Sequence, residues 1–441
     1  MRFLISVALL VVAAGDPAVA LAQAPVKIGL VQSFTGSEVY AVYSRQVKRG
    51  FDLGLEYATS GTMELLDRKI EVLEEDDQSK PDVARQKLTK LYADDNVDLV
   101  VGTTSSVATL AVLPVAAEFK KVLVVEPAVA DPITGENWNR YVFRTGRTFT
   151  QDAIANALAV AKPGVSIAII ARDDDFGRNG VAAYKAAVQK AGATLVHEEY
   201  VPRTTTDFTA PIQKTIAALK DRPGEKYLSV VWGGKGGPFW RLVNNRHENY
   251  GTTLLRDLYH LARGVATEGT ASDGLKALDK HGITLSYDLY RLVSGLTSES
   301  NVIDVLKTLK GQNVEGLVGG AYYYFEIPKN PVNDWLVREH VKRFNQPPDF
   351  FACGGFSAAM AVVAAIKKAG GTDSEKLVEA MEGLDFQTPK GKMAFRTEDH
   401  QALQAMYAYK MVSTPDVAWL VPTLTREFSA QETAPPITNR R

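Results

Sequence analysis

Apolar and polar positions along this chain fall into a repeating unit: a short apolar run, a polar loop, then apolar residues at helical spacing. Residues 26–31 are the first such run, unbroken except for Lys27 and Gly29, and the polar turn Ser33-Phe34-Thr35-Gly36-Ser37 follows it. Val47, Phe51, Leu55 and Ala58 then recur at the spacing of one helix face. The unit repeats with a strand over 69–73 and a helix carrying Ala84, Leu88, Leu91 and Tyr92 on one side. A strand over 97–101, a helix over 107–119 and a strand over 122–125 come next. Pro114 breaks that third helix or starts a new segment, because proline lacks an N–H and crowds the preceding turn.

A strand over 141–144 leads into a second series: helix 152–161, strand 166–171, helix 180–191, strand 194–200, helix 208–219 and strand 227–232. Within 251–287, Leu254, Leu255, Leu258, Leu261 and Val265 mark one helix, and Leu275 with Leu278 another. Strands follow at 292–294 and 319–325, helices at 333–344 and 356–368, and 433–441 reads as a disordered tail. Strands alternating with helices at this spacing predict an α/β protein of two doubly wound, mostly parallel sheets. In open sheets of this kind ligands sit beyond the carboxyl ends of the strands, which places the expected site in a cleft between two lobes.

The N-terminus breaks the pattern. Arg2 precedes a continuous apolar run from Phe3 to Ala14, and Ala20-Leu21-Ala22 fits the A-x-A rule for signal cleavage, leaving Gln23 as the new N-terminus. The run is shorter than the roughly 20 residues that span a bilayer. The expectation is an exported periplasmic protein, and with no cysteine near the cleavage site, one without a lipid anchor.

The 441 residues suffice for two or three domains of about 100–200 residues each. A net charge of −1, without long blocks of one sign, argues against nucleic acid as a partner. The single cysteine, Cys353, precludes an internal disulfide and reads as a small buried hydrophobe beside an apolar helix.

Candidate chemistry is sparse. Gly102-Thr103-Thr104-Ser105-Ser106 joins a buried strand to a helix, where a hydroxyl either caps the helix or, with the helix dipole, helps hold an anion. No G-K-[ST] follows, so this is no nucleotide-phosphate loop. Asp173-Asp174-Asp175-Phe176-Gly177 lacks the remainder of a calcium loop or of a kinase, and reads as an acidic helix start with Phe176 at the cleft. The six histidines show no metal-ligand spacing, and neither a nucleophile elbow nor a dinucleotide fingerprint occurs. Gly233-Gly234-Lys235-Gly236-Gly237 reads as a loop at the cleft rim. No catalytic residue, cofactor or metal is expected.

Several segments together resemble the branched-chain-amino-acid-type solute-binding proteins of ABC importers. They are Val26-Lys27-Ile28-Gly29-Leu30-Val31 with Ser33-Phe34-Thr35-Gly36, Asp76-Asp77-Gln78, Val100-Val101-Gly102, Tyr141-Val142-Phe143-Arg144-Thr145 and Phe176-Gly177-Arg178-Asn179-Gly180. Pro348-Asp349-Phe350, Thr388-Pro389-Lys390-Gly391 and Phe395-Arg396 extend the likeness, which runs from about residue 26 to about 425. The resemblance implies the type I periplasmic-binding fold, two lobes closing on a solute about a three-crossing hinge, with crossings near Thr145, Tyr324 and Thr388. It implies a first lobe of 23–145 plus about 325–387, a second of 146–324 plus about 388–425, and a tail over 426–441.

The same resemblance assigns Ser105 and Ser106 to the ligand carboxylate, Ala128 and Ala130 to backbone and side-chain contacts, and Phe176 to packing on the ligand. Tyr43 and Trp232 are further contacts, and Glu299 is the acidic candidate for a ligand ammonium, with Asp131 behind it. Amino-acid binders of the family commonly carry Thr where this chain has Ala130. The ligand class therefore stays open among amino acid, amide and aromatic carboxylate. A membrane permease is the implied protein partner. Two alternatives remain: an amide-sensing regulator of the same fold, which would often lack a signal peptide, and an exported α/β hydrolase, for which no nucleophile motif is present.

Overall fold

The computed structural model describes residues 24–202, 204–205, 208–232, 281–288, 302–310 and 314–439. The signal segment, the glycine-rich loop at 233–237, the helical patterns of 251–280 and the strand expected at 292–294 lie outside them.

The first sheet contains β1 (Val26–Gln32), β2 (Glu64–Leu65), β3 (Arg68–Asp76), β4 (Leu99–Gly102), β5 (Leu123–Val125) and β6 (Val142–Arg144), in the order β2-β3-β1-β4-β5-β6. β1 is parallel to both β3 and β4, with Val26 opposite Ile70 and Ile28 opposite Leu99. Helices α1 (Glu38–Ala58), α2 (Pro81–Ala93) and α3 (Ser106–Phe119) make the crossovers, and the helix-spaced residues Ala84, Leu88, Leu91 and Tyr92 are buried as their period requires. α3 runs unbroken through Pro114, contrary to the sequence expectation. Ala108 and Val112 before the proline and Val115 and Ala116 after it are buried in one cluster, so packing on both turns outweighs a local cost of about 3 kcal/mol.

The second sheet orders as β16-β15-β11-β10-β9-β7-β8, from β7 (Ser166–Arg172), β8 (Thr194–Val201), β9 (Lys226–Val231), β10 (Ile283–Ser286), β11 (Val318–Ala321), β15 (Met406–Val412) and β16 (Val421–Phe428). β7 to β11 pair in parallel, whereas β15 and β16 are antiparallel additions at one edge. Helices α4 (Phe149–Leu158), α5 (Asp175–Lys190), α6 (Thr209–Leu219) and α7 (Val302–Leu309) belong to this lobe. Helices α8 (Pro331–Phe344), α9 (Phe350–Ala369) and α10 (Ser374–Met381) follow. α9 starts six residues earlier than its apolar pattern suggests, because Asp349 caps it by accepting from the N–H groups of Phe351 and Ala352, both at 2.9 Å. Most of α9, Cys353 included, is buried. A small sheet follows, made of β12 (Asp385–Thr388), β13 (Gly391–Phe395) and β14 (Ala402–Leu403).

The chain passes between the two large sheets after Arg144, after Ala321 and after Leu403. The last passage corrects the one expected near Thr388. Phe386, Met393, Phe395 and Ala402 pack in the same core cluster as Val26, Ile28 and Leu99, so residues 385–403 belong with the first sheet. The tail is also ordered rather than disordered as far as residue 439. Residues 421–428 form β16, Thr433 is fully buried, the Arg396 guanidinium donates to the Pro435 carbonyl at 2.9 Å, and Asn439 donates to the Glu398 carbonyl at 2.6 Å. Polar partners remote in sequence hold it, which a local reading of composition misses.

Candidate functional site

The carboxyl ends of β1, β3, β4 and β5 are tied together by buried polar side chains. Thr104 Oγ1 donates to Gln32 Oε1 at 2.5 Å, and Gln32 Nε2 donates to the Glu126 carbonyl at 3.1 Å. Ser33 Oγ donates to Asp77 Oδ1 at 2.6 Å, while Asp76 accepts from both the N–H and the hydroxyl of Thr35. These bonds fix the loops on which the sequence-derived candidates stand.

Ser105 is the N-cap of α3: its Oγ accepts from the Ala108 N–H at 3.5 Å. Ser106 Oγ accepts from the N–H groups of Val129 and Ala130 at 3.3 and 3.2 Å, so it pins the loop after β5 to the start of α3. A hydroxyl offers two acceptor lone pairs and one proton. Ser106 has spent both lone pairs, and among the described residues neither serine donates its O–H to an acceptor. Capping and anion binding are therefore compatible here: the oxygens hold the protein, and the protons stay available to an anion at a helix N-terminus.

Ala128 is buried, and half-buried Ala130 receives Arg144 Nη1 on its carbonyl at 2.6 Å. Asp131 is already engaged, accepting from the N–H and the hydroxyl of Thr150, both at 3.1 Å. Tyr43 is half-buried and stacks on Phe351, with ring centroids 4.0 Å apart. Phe176 stands in the first turn of α5, which Asp174 caps through the Gly177 N–H at 3.0 Å. Glu299 lies outside the described residues. Trp232 departs from its expected place. Its ring is 1% exposed and meets Phe208 edge-on at 5.3 Å, in the core cluster that also holds Leu228 and Val230. Period-two alternation puts 228, 230 and 232 on one face, and that face packs on α6.

Sequence reasoning missed a buried polar cluster where the three passages converge. Arg147, just past the first passage, pairs with Asp152 at 3.0 Å, both side chains 2% exposed. Tyr322 follows the second passage, and its ring faces the Lys390 ammonium at 3.7 Å and the Arg147 guanidinium at 5.0 Å. Lys390 donates to Gln404 Oε1 at 2.8 Å, and Gln404, in the third passage, donates to the Thr145 carbonyl at 3.3 Å. Thr145 Oγ1 donates to Glu126 Oε2 at 3.0 Å. Burial pushes the Glu126 carboxyl up to about 7 and pulls the Lys390 ammonium down to about 7. Room for Glu126 comes from Gly354, where a Cβ would lie 2.2 Å from Oε1. In the sequence these residues are scattered over turns and strand ends, and no local spacing signals them. Among the described residues, no group of three or more His, Cys, Asp or Glu side chains is placed to hold a metal ion.

Comparison with known proteins fits this geometry. A family model described as periplasmic binding protein matches residues 25–415. The chain is 24% identical over 398 residues to a Leu/Ile/Val-binding protein homologue of Brucella abortus, covering 89% of this chain and 88% of that one. It is 23% identical to a leucine-, isoleucine-, valine-, threonine- and alanine-binding protein of Pseudomonas aeruginosa, over 73% of each chain. Among solved structures, an ABC-type branched-chain amino acid transporter protein of Rhodopseudomonas palustris is 49% identical, with a TM-score of 0.79, covering 94% of this chain and 100% of its own. A solute-binding protein of Rhodopseudomonas palustris in complex with 3,4-dihydroxybenzoic acid shares the fold at 24% identity and a TM-score of 0.65, covering 92% and 98%. With its two parallel-dominated sheets joined by three passages, the chain belongs to the periplasmic binding protein family, the solute-binding proteins of ABC transporters.

Proposed function

We propose that this chain is the periplasmic, non-catalytic substrate-binding component of an ABC importer, and that its solute carries a carboxylate. The observation that carries the carboxylate is the hydroxyl pair Ser105 and Ser106 at the N-terminus of α3, with oxygens committed to the protein and protons left to donate. The solutes named for relatives, branched-chain amino acids in one group and a hydroxylated benzoic acid in another, differ in ammonium and ring but share a carboxylate. Ala128, Ala130, Tyr43 and Phe176 complete the proposed cleft, and Glu299 remains the proposed partner of an ammonium, since Asp131 is held by Thr150. Trp232 acts from behind, as core.

A solute that touches both lobes favours their closed arrangement, because only differential affinity moves such an equilibrium. The closed form then docks on a membrane permease. Export follows cleavage after Ala22, which mass spectrometry of periplasmic protein tests by a start at Gln23. The ligand class is tested by thermal shift of the mature protein against amino acids, amides and aromatic acids. A ligand at about 100 times its dissociation constant adds roughly 2.7 kcal/mol. Stabilisation by carboxylates supports the reading, and stabilisation by amides alone overturns it.

A further inference from the structure

We propose that the carboxylate of the bound solute, taken up by the Ser105 and Ser106 hydroxyls, is also met by a cation, Lys390, at the point where the three interlobe passages converge. This deepens the carboxylate reading and rests on it. The Lys390 side chain is buried, in the turn between β12 and β13. Its Nζ meets Gln404 Oε1 at 2.8 Å, Met406 Sδ at 3.9 Å and the face of Tyr322 at 3.7 Å. Among the described residues no carboxylate is within ion-pair reach of it. Of the acids nearest by charge, Asp152 is paired with Arg147 at 3.0 Å, and Glu126 accepts from the neutral Thr145 hydroxyl at 3.0 Å while burial pushes its carboxyl up to about 7, which weakens it as a counter-charge.

A buried ammonium without a counter-charge costs stability. The same ring that Lys390 faces bears a buried hydroxyl, Tyr322 Oη, with no hydrogen-bond partner. A cation with spare N–H donors and an unused phenol beside it make a complementary pair for one anionic group. The place suits closure as well. Lys390 is carried by the small sheet of the first lobe, while Tyr322 follows β11 of the second, so an anion held by both grips both lobes. An unbroken hydrogen-bonded path runs from Lys390 through Gln404, Thr145, Glu126 and Gln32 to Thr104, next to Ser105.

The charged and titratable groups around Lys390 are Glu126 from the loop after β5, Arg147 and Asp152 at the start of the second lobe, Tyr322, Cys353 from α9 and Tyr407 from β15. An anion arriving there favours the protonated ammonium, so solute binding above neutral pH takes up protons.

The test is calorimetry on the full mature protein with two acid–amide pairs, leucine with leucinamide and 4-hydroxybenzoate with 4-hydroxybenzamide, in buffers of different ionisation enthalpy at pH 7.5. For an acid that the wild type binds, Lys390→Met should lose at least tenfold in affinity and most of the proton uptake, while Lys390→Arg retains part of the affinity. Lys390→Met without ligand should melt no lower than the wild type, because it replaces a buried amine with an apolar side chain of similar length; Lys390→Gln serves if the methionine fails to fold. Unchanged acid affinity and uptake in both neutral variants would overturn the role of Lys390 and leave the carboxylate reading standing. A wild type that binds none of the acids would overturn both.

Discussion

Ser106 Oγ accepts the backbone N–H of Ala130 at 3.2 Å, so the first residue of α3 holds the loop that follows the next strand. The loop in turn presents its carbonyl at Ala130 to Arg144, at the first interlobe passage. One hydroxyl thus joins the helix N-terminus, the loop after β5 and the first interlobe passage.

Replacing that hydroxyl should have two effects. Ser106→Ala removes two accepted bonds and is expected to cost about 1–3 kcal/mol, at about 0.5–1.5 kcal/mol each. Ser105→Ala removes a helix cap, expected to cost about 0.5–2 kcal/mol. Together they should lower affinity for a carboxylate at least tenfold while folding survives. Urea denaturation and calorimetry of the single and double variants check both expectations; unchanged carboxylate affinity in the double variant would remove the serines from the site.

Gly354 is constrained by contact rather than by backbone angle. A Cβ there would sit 2.2 Å from Glu126 Oε1, so Gly354→Ala should overpack the hinge and cost about 1–3 kcal/mol. Adding Glu126→Ala should return part of that loss, a coupling that a double-mutant cycle in thermal melts measures. Additive losses would show that the contact is not what limits the site.

The Glu126 carboxyl gives a signed pH dependence. Burial raises it to about 7, from an ordinary value of 4.5, so between those values the folded chain holds a proton that the unfolded chain releases. Stability from this group therefore falls as the pH rises from about 4.5 to about 7. Glu126→Gln is neutral at every pH, and it should gain on the wild type as the pH goes from 5 to 8. Melting temperatures at those two values test this; a gap that stays constant contradicts it.

The tail should matter to stability although nothing in its composition says so. Ending the chain after Phe428 removes the bonds from Arg396 to Pro435 and from Asn439 to Glu398, and is expected to cost about 1–3 kcal/mol. An unaltered denaturation midpoint would mean that the ordered tail contributes nothing.

The elements were largely legible because their signals are local. Leu88, Leu91 and Tyr92 show a helix face by spacing alone, and the apolar run that became β1 shows a strand buried on both sides. Trp232 is legible too, as the third member of the alternation with Leu228 and Val230 that points into the core. Pro114 misleads because packing on both turns of α3 outweighs a local penalty. Lys390 could not be read as buried: in Thr388-Pro389-Lys390-Gly391 a lysine between proline and glycine has the signature of an exposed turn. Its burial comes from Tyr322 and Gln404, distant in sequence and joined only by the fold. The passage after Leu403 was hidden for the same reason, since only the core contacts of Phe386 and Phe395 assign the small sheet to the first lobe.

Recognition of a carboxylate in the cleft is tested by titrating the wild-type mature protein with matched acids and amides in a calorimeter. Branched-chain amino acids, their deaminated keto acids and hydroxybenzoates each enter beside the corresponding amide. At least one acid should bind, and its amide should bind at least tenfold more weakly. An amide that binds as tightly as its acid would contradict it.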